Sequence, residues 1–209
     1  MTLDEANQVL AEADLLVAGE DVTAAIGRMA GEITEQLSKA NPVILCVMNG
    51  GLIFSGQLLT RLVFPMEVEY CHATRYGRET AGAGLDWIVR PRLKLLGRTV
   101  LLLDDILDEG ITLAAIANYC RQQGAARVMM AVLVDKPEGR RVPLQPDYLG
   151  FSNASNKHLV GYGLPDAQGL HRNLPHIAAL DSGSWRRSGR VASGARRGRG
   201  RRTARPRAR

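Results

Sequence analysis

Apolar positions change period several times along the chain, and the changes predict helices alternating with buried strands. Leu3, Ala6, Leu10, Ala13 and Val17 recur at helical spacing, and Gly19 is placed to end that stretch. Asp21 then reads as the cap of a second helix running to about Lys39, with Ile26, Met29, Ile33 and Leu37 as its buried stripe. Asn41-Pro42 breaks the helical period. Val43–Met48 (VILCVM) is continuously apolar, as expected of a strand covered on both faces. It ends in Asn49-Gly50-Gly51, and Leu52–Leu62 returns to helical character. Glu67–Ala73 predicts a further strand, while Thr74–Asp86, polar and glycine-rich, predicts a long loop or mobile hairpin. Thr99–Leu103 is another wholly apolar strand, running directly into Asp104. Leu113, Ile116, Ala117 and Cys120 mark an amphipathic helix that Gly124 closes. Arg127–Val134 predicts a strand leading into Asp135-Lys136-Pro137, and Tyr148–Phe151 and His158–Tyr162 predict shorter ones.

Apolar strands alternating with amphipathic helices imply an α/β fold whose mostly parallel central sheet is flanked by helices on both faces. Ligands of such sheets bind at the carboxyl ends of the strands. Three of these strands end in unusual polar sequences, Asn49-Gly50-Gly51, Asp104-Asp105 and Asp135-Lys136. Their agreement marks a candidate site.

Composition narrows the class. With 209 residues, 45% apolar and 23% charged, the chain has the balance of one globular domain with room for a small appendage. No apolar run approaches the roughly 20 residues that cross a bilayer. The acidic start, MTLDEANQVLAEADLL, lacks the order of a signal peptide, so a cytoplasmic location is expected. Cys46, Cys71 and Cys120 form no CxxC pair and read as core residues in a reducing compartment.

Charge divides the chain in two. Residues 182–209 hold 11 arginines and no acid, which leaves 16 basic and 21 acidic residues, a net charge of −5, on residues 1–181. The body, 1–181, is therefore expected to be the folded unit. The tail, 182–209, is rich in Arg, Gly, Ser and Ala and is expected to stay disordered. Its arginines could contact nucleic-acid phosphates in a salt-dependent way, or the segment is an incidental extension. Trp185 is its single aromatic, which weighs against an RNA-stacking role.

Asp104, Asp105, Asp108 and Glu109 crowd four carboxylates between an apolar strand and a helix. Such crowding is costly unless donors, cations or water offset the repulsion. One reading is a solvated acidic turn that caps the helix. The other is a site for a polyhydroxylated ligand bearing phosphate. Carboxylates would accept from vicinal ribose hydroxyls, and the turn Asp108–Thr112 leads to a helix N-terminus whose free N–H groups favour an anion. No Gly-Lys-Ser/Thr follows and no GxGxxG stands at a strand-to-helix junction, so neither a Walker A loop nor a dinucleotide fingerprint is present.

The segment Leu101–Thr112, LLLDDILDEGIT, resembles the phosphoribosyl-pyrophosphate signature of type I phosphoribosyltransferases, and the order of motifs from about Val43 to Leu180 resembles the hypoxanthine-guanine branch. The resemblance implies that fold, with a small hood subdomain built from N- and C-terminal parts. It also implies transfer of a phosphoribosyl group from 5-phosphoribosyl-1-pyrophosphate (PRPP) to a 6-oxopurine, with Mg2+ as cofactor, in a homodimer or homotetramer.

Residue by residue, Asp104 and Asp105 would hold the ribose hydroxyls. Asp108 would exchange a proton with purine N7 as general acid–base, and the backbone of Asp108, Glu109, Gly110, Ile111 and Thr112 would cradle the 5′-phosphate. Lys136 would donate to the 6-oxygen, His158 would stack on the base and Leu159 would offer backbone groups to its edge. Met48, Asn49 and Gly50 match the pyrophosphate loop, in which the family often has lysine at the place of Asn49. Arg75 and Tyr76 match a mobile loop, and Arg172 a pyrophosphate-contacting arginine. Asp166 would be the magnesium ligand, although Gly161–Asp166 is one residue longer than the family pattern. Two other functions remain open: a preference for xanthine, and a regulatory protein of this fold that binds nucleic acid.

Overall fold

The computed structural model of the chain describes residues 2–75, 85–153, 157–181 and 183. In order these form α1 (Leu3–Ala11), β1 (Asp14–Val17), α2 (Gly19–Leu37), β2 (Val43–Met48), α3 (Leu52–Leu59), β3 (Glu67–Arg75) and β4 (Leu85–Val89). There follow β5 (Thr99–Leu107), α4 (Ile111–Gln122), β6 (Arg127–Asp135), a 3-10 turn (Pro137–Gly139), β7 (Tyr148–Ser152), β8 (His158–Val160) and β9 (Ile177–Leu180). Six strands make one sheet in the order β4-β3-β2-β5-β6-β7, parallel throughout except for the antiparallel β3–β4 pair.

The apolar runs follow from burial on both faces. Ile44, Cys46, Leu101, Leu103, Ala131 and Leu133 pack with Ile26, Met29 and Ile33 of α2 and with Phe54 and Leu58 of α3. Their neighbours Val43, Leu45, Val100, Leu102 and Val132 point the other way, onto Leu113, Ile116, Ala117 and Cys120 of α4. Three antiparallel strands in the order β1-β9-β8 form a second, smaller sheet. Leu159, Ile177 and Ala179 from this sheet join the α2 side of the main core, while Val160, Ala178 and Leu180 pack with Val9 of α1.

Several boundaries differ from the sequence reading. The helical stretch expected through Val17 stops at Ala11, and Asp14–Val17 is a strand instead, paired with Ile177–Ala179. A partner some 160 positions away overrides the local period. Helix α2 begins at Gly19 with Ala18 as its N-cap, so Asp21 lies in the first turn rather than at the cap. The dipole favours an acid there too. Helix α3 ends at Leu59, short of Leu62. Of the two readings of Thr74–Asp86, a long loop or a hairpin, the ends follow the second: Thr74 and Arg75 of β3 pair antiparallel with Asp86 and Leu85 of β4. Strand β5 runs past Leu103 to Leu107 because β6 accompanies it to Asp135, so Asp104 and Asp105 lie inside the strand. Tyr76 and the expected arginine-rich tail lie outside the described residues, apart from Gly183.

Candidate active site

The three polar strand ends meet because β2, β5 and β6 are adjacent and parallel. Val47–Gly50, His72–Thr74 on β3, Asp104–Leu113 and Arg172 line a cavity of about 440 Å3 above these ends. The β2–α3 turn begins with a cis peptide between Met48 and Asn49. A Cβ on Gly51 would stand 2.7 Å from the Val47 carbonyl oxygen and 2.8 Å from that of Leu103, so only glycine lets this turn lie directly on β5.

Consecutive strand residues point to opposite faces, and Asp104 and Asp105 occupy different surroundings accordingly. Asp104 lies near Cys71, whose thiol burial pushes up to about 12, with charge from Cys120 and Asp104 acting the same way. Asp105 is 5% exposed, and its carboxylate occupies the place a Cβ on Gly50 would take. The Asp104 carboxylate accepts the Asp105 N–H at 3.0 Å. Burial holds both carboxyls above the ordinary aspartate range. Asp104 is raised further by the charge of Asp105, while Asp105 is relieved by its hydrogen bond with Asp104 and by Arg172. The pair therefore binds a proton more tightly than two exposed carboxylates would.

Beyond β5 the chain turns at Gly110, whose φ of +80° suits glycine, and α4 starts without a side-chain cap. Its first intrahelical bond runs from the Ala114 N–H to the Gly110 carbonyl at 2.9 Å. The preceding N–H groups belong to residues that line the cavity, an arrangement suited to an anion. The segment after β6 supports this turn: the Lys136 N–H donates to the Leu107 carbonyl at 2.9 Å and the Arg141 N–H to that of Glu109 at 3.0 Å. The Glu109 carboxylate pairs with Arg141 at 3.2 Å, and the Asp108 carboxylate rests against Gly139, where a Cβ would collide with it.

Lys136 Nζ donates to the Lys157 carbonyl at 3.2 Å, which ties the end of β6 to the smaller sheet. His158 Nε2 lies 2.8 Å from the Pro165 carbonyl. Burial lowers the His158 pKa, and Lys136 acts in the same direction against opposing effects of the Pro165 bond, Asp166 and Asp108. The ring is thus neutral near pH 7, with Nε2–H as the donor. Lys136, His158 and Asp108 therefore converge, although Lys136, His158 and Leu159 do not line the 440 Å3 cavity. The Leu159 side chain is buried in the core, so any contact it makes with a ligand is through its backbone. Arg172 lines the cavity and donates to the Gly163 carbonyl at 2.6 Å. Gly163 has φ +105° and lies against the Gly50 carbonyl, bringing the smaller sheet onto the β2–α3 turn.

Residues 13–167 match the sequence profile of the phosphoribosyl transferase domain. The chain belongs to that family. A hypoxanthine-guanine phosphoribosyltransferase of Streptococcus pneumoniae is 32% identical over 167 residues, 79% of this chain and 92% of the relative. A bifunctional protein TilS/HprT of Listeria innocua shows the same identity over 79% of this chain, but the match spans only 26% of that longer protein. The crystal structure of a hypoxanthine-guanine phosphoribosyltransferase from Bacillus anthracis superposes with a TM-score of 0.73 at 25% identity, covering 80% of this chain and 97% of that one.

One expected site residue, Asp166, does not line the cavity. Asp166 is 3% exposed, and its Oδ1 accepts the N–H groups of Gln168 at 2.8 Å and Leu170 at 2.9 Å. Its Oδ2 faces His171 Nδ1 at 3.4 Å, and neither of these two buried atoms has a hydrogen-bond partner. Asp166 thus closes the turn that follows it, Asp166–Leu170. Its carboxylate does not fit the expected magnesium ligand. Among the described residues no group of three or more His, Cys, Asp or Glu side chains is placed to hold a metal ion. Asn49 is exposed at the edge of the cavity, and Arg75 ends β3. His72 and Thr74 line the cavity without having been singled out from the sequence. Their alternation along β3 opposite β2 was the available signal.

Proposed function

We propose that this phosphoribosyltransferase transfers the 5-phosphoribosyl group of PRPP to hypoxanthine or guanine, releasing pyrophosphate and the purine nucleoside monophosphate. The observation that carries the reading is one continuous segment, Asp104–Leu113, lining the cavity with half-buried Asp104 and buried Asp105 followed by an uncapped helix N-terminus. Vicinal ribose hydroxyls donate to Asp104 and Asp105, and the N–H groups from Asp108 to Thr112 receive the 5′-phosphate. The diphosphate lies along Met48, Asn49 and Gly50 within reach of Arg172, and Arg75 and Tyr76 are proposed as further contacts to it. Magnesium is proposed to arrive with the substrate as the counter-ion of that diphosphate, and no step depends on Asp166.

Base selection falls to the other side of Asp108. The ammonium of Lys136 has three donors and gives one to Lys157, so two remain for a 6-oxo acceptor. Adenine's 6-amino group would set donor against donor, leaving both unsatisfied. The neutral imidazole of His158 stacks on the base, and Leu159 meets its edge through backbone groups. Asp108 takes the N7 proton as N9 attacks the anomeric carbon, and the carboxylates beside the ribose favour its developing positive charge.

Among the described residues no helix is long and apolar enough to cross a membrane, and we propose a cytoplasmic enzyme. Exposed Leu52, Val63, Val68 and Tyr70 support a homodimer or homotetramer. Adenine, hypoxanthine, guanine and xanthine offered separately with PRPP and magnesium test the reading. Turnover of hypoxanthine and guanine at least about 100-fold above adenine is expected, given how strongly a mismatched polar partner is rejected. Preference for adenine refutes the Lys136 role, and preference for xanthine moves the specificity within the same chemistry. The nucleic-acid reading is tested by a chain ending at Asp181: full turnover leaves the arginine-rich segment outside catalysis.

A further inference from the structure

Arg140 has no place in the substrate contacts above, yet its guanidinium holds together the segments that carry them. Its side chain is 14% exposed. Nε donates to the Asp108 carbonyl at 2.9 Å and Nη2 to the Leu107 carbonyl at 3.2 Å. Nη2 also pairs with the Asp135 carboxylate, and Nη1 donates to the Leu144 carbonyl. One planar group thus bonds the end of β5, the end of β6 and the loop after the 3-10 turn. The same loop closes on the acidic turn by other routes. A Cβ on Gly110 would meet Val142 at 2.9 Å and the Arg140 Cδ at 3.1 Å, and Gly139 lies on the Asp108 carboxylate. The Leu107 carbonyl accepts both the Lys136 N–H and Arg140.

From this we infer that Arg140 is a positioning residue, which fixes the backbone of Asp108 and ties it to the strand end bearing Lys136, so that proton handling and base recognition share one frame. The inference rests on the Asp108 reading above. A guanidinium suits the task because its donors lie in one rigid plane, and a lysine ammonium on a flexible stem cannot reach four acceptors spread over three segments. A displaced Asp108 still binds PRPP through its neighbours but meets N7 poorly, and small misplacements of a reacting group are costly in turnover. The effect should therefore appear in kcat and pass through Asp108.

The test compares Arg140→Lys in the full chain with the same change made on Asp108→Asn, measuring kcat for hypoxanthine, KM for both substrates and the thermal midpoint. Alone, Arg140→Lys is expected to lower kcat about 10-fold or more and to leave KM for PRPP within about 3-fold. On Asp108→Asn it should lower kcat by less than about 2-fold, because residues acting through one another are not additive. Equal losses in the two backgrounds mean a general structural role and overturn the inference. Near-normal turnover of Asp108→Asn by itself overturns the Asp108 reading, and the positioning role with it. Should Arg140→Lys fail to fold, Asp135→Asn is read in the same two backgrounds. It removes the charged partner of the guanidinium and keeps the backbone bonds. A loss confined to the Asp108 background supports positioning, and equal losses overturn it.

Discussion

Replacing Gly50 by alanine isolates the contact on which the proposed ribose site depends. The added Cβ lands on the Asp105 carboxylate, which sits between the Gly50 turn and the turn at Gly163 and is held by the charge of Arg172. Gly50 does not have a positive φ, so the backbone tolerates alanine and the cost is purely one of space. Overpacking of this kind costs about 1–3 kcal/mol. Lower entropy of the unfolded chain returns about 0.4–1 kcal/mol. Gly27, exposed in the middle of α2 with nothing within 4 Å of its Cβ position, is the control. Gly27→Ala should stabilise by about 0.4–1 kcal/mol, since it gains the same entropy without the collision. The two variants should then differ by about 1–3 kcal/mol, or about 2–12 °C in thermal midpoint for a chain of this size. Urea unfolding measures the first quantity, and initial rates at varied PRPP measure the functional effect. Displacing Asp105 should raise KM for PRPP by about 10-fold, the loss of one charge-assisted contact. If Gly50→Ala unfolds with Gly27→Ala and keeps its KM, Asp105 is not held as described.

Three further outcomes follow from the site. Burial and Asp105 raise the Asp104 pKa, so the folded chain binds this proton more tightly than the unfolded one, a stabilisation complete below the reference value of 3.8 and lost as pH rises through the higher folded value. Asp104→Asn should therefore be more stable than the parent at pH 7, with the gap closing toward pH 3.8 in parallel urea titrations; a gap that widens in acid contradicts this. Burial lowers the His158 pKa, so its contribution is complete above 6.5 and is lost as pH falls through the lower folded value. Protonation of the stacking ring should raise KM for hypoxanthine on the acid side; His158→Phe should remove this rise, and an unchanged profile would assign it elsewhere. Asp166→Ala strips the acceptor from two backbone N–H groups and should cost about 2–4 kcal/mol, with the magnesium requirement unchanged. Full stability with a raised magnesium requirement would restore Asp166 as a ligand.

Features of the fold that are legible in the sequence rest on short-range patterns, and those that are not rest on long-range partners. The core strands were plain because VILCVM and TVLLL are apolar on both faces, a pattern that helices on both sides of a sheet require. The acids of LLLDDILDEGIT were plain because their crowding demands a ligand or solvent. Strands β1 and β9 escape a local reading because each is four residues long and forms only by pairing, β1 with β9 and β9 also with β8, and Ile177–Leu180 holds two alanines with little strand preference. The reach of β5 beyond Asp104 depends on β6 as its neighbour, which no local window contains. The place of Asp166 in a motif suggests a metal ligand, but its carboxylate accepts two N–H groups of the turn that follows, a use that no spacing reveals. Arg140 was overlooked for a similar reason. In sequence it is one arginine of an Arg-Arg pair in a polar loop, and only the fold brings Leu107, Asp108 and Asp135 around it.

Turnover of hypoxanthine with PRPP and magnesium, in the parent chain and in Asp108→Asn, decides whether the segment around Asp108 carries phosphoribosyl transfer. The parent should form the nucleoside monophosphate and pyrophosphate in equal amounts. The variant should keep the parent's thermal midpoint and lose about 100-fold or more in kcat, the share expected of a general acid–base group. No product from the parent, or near-normal turnover in Asp108→Asn, would contradict the account.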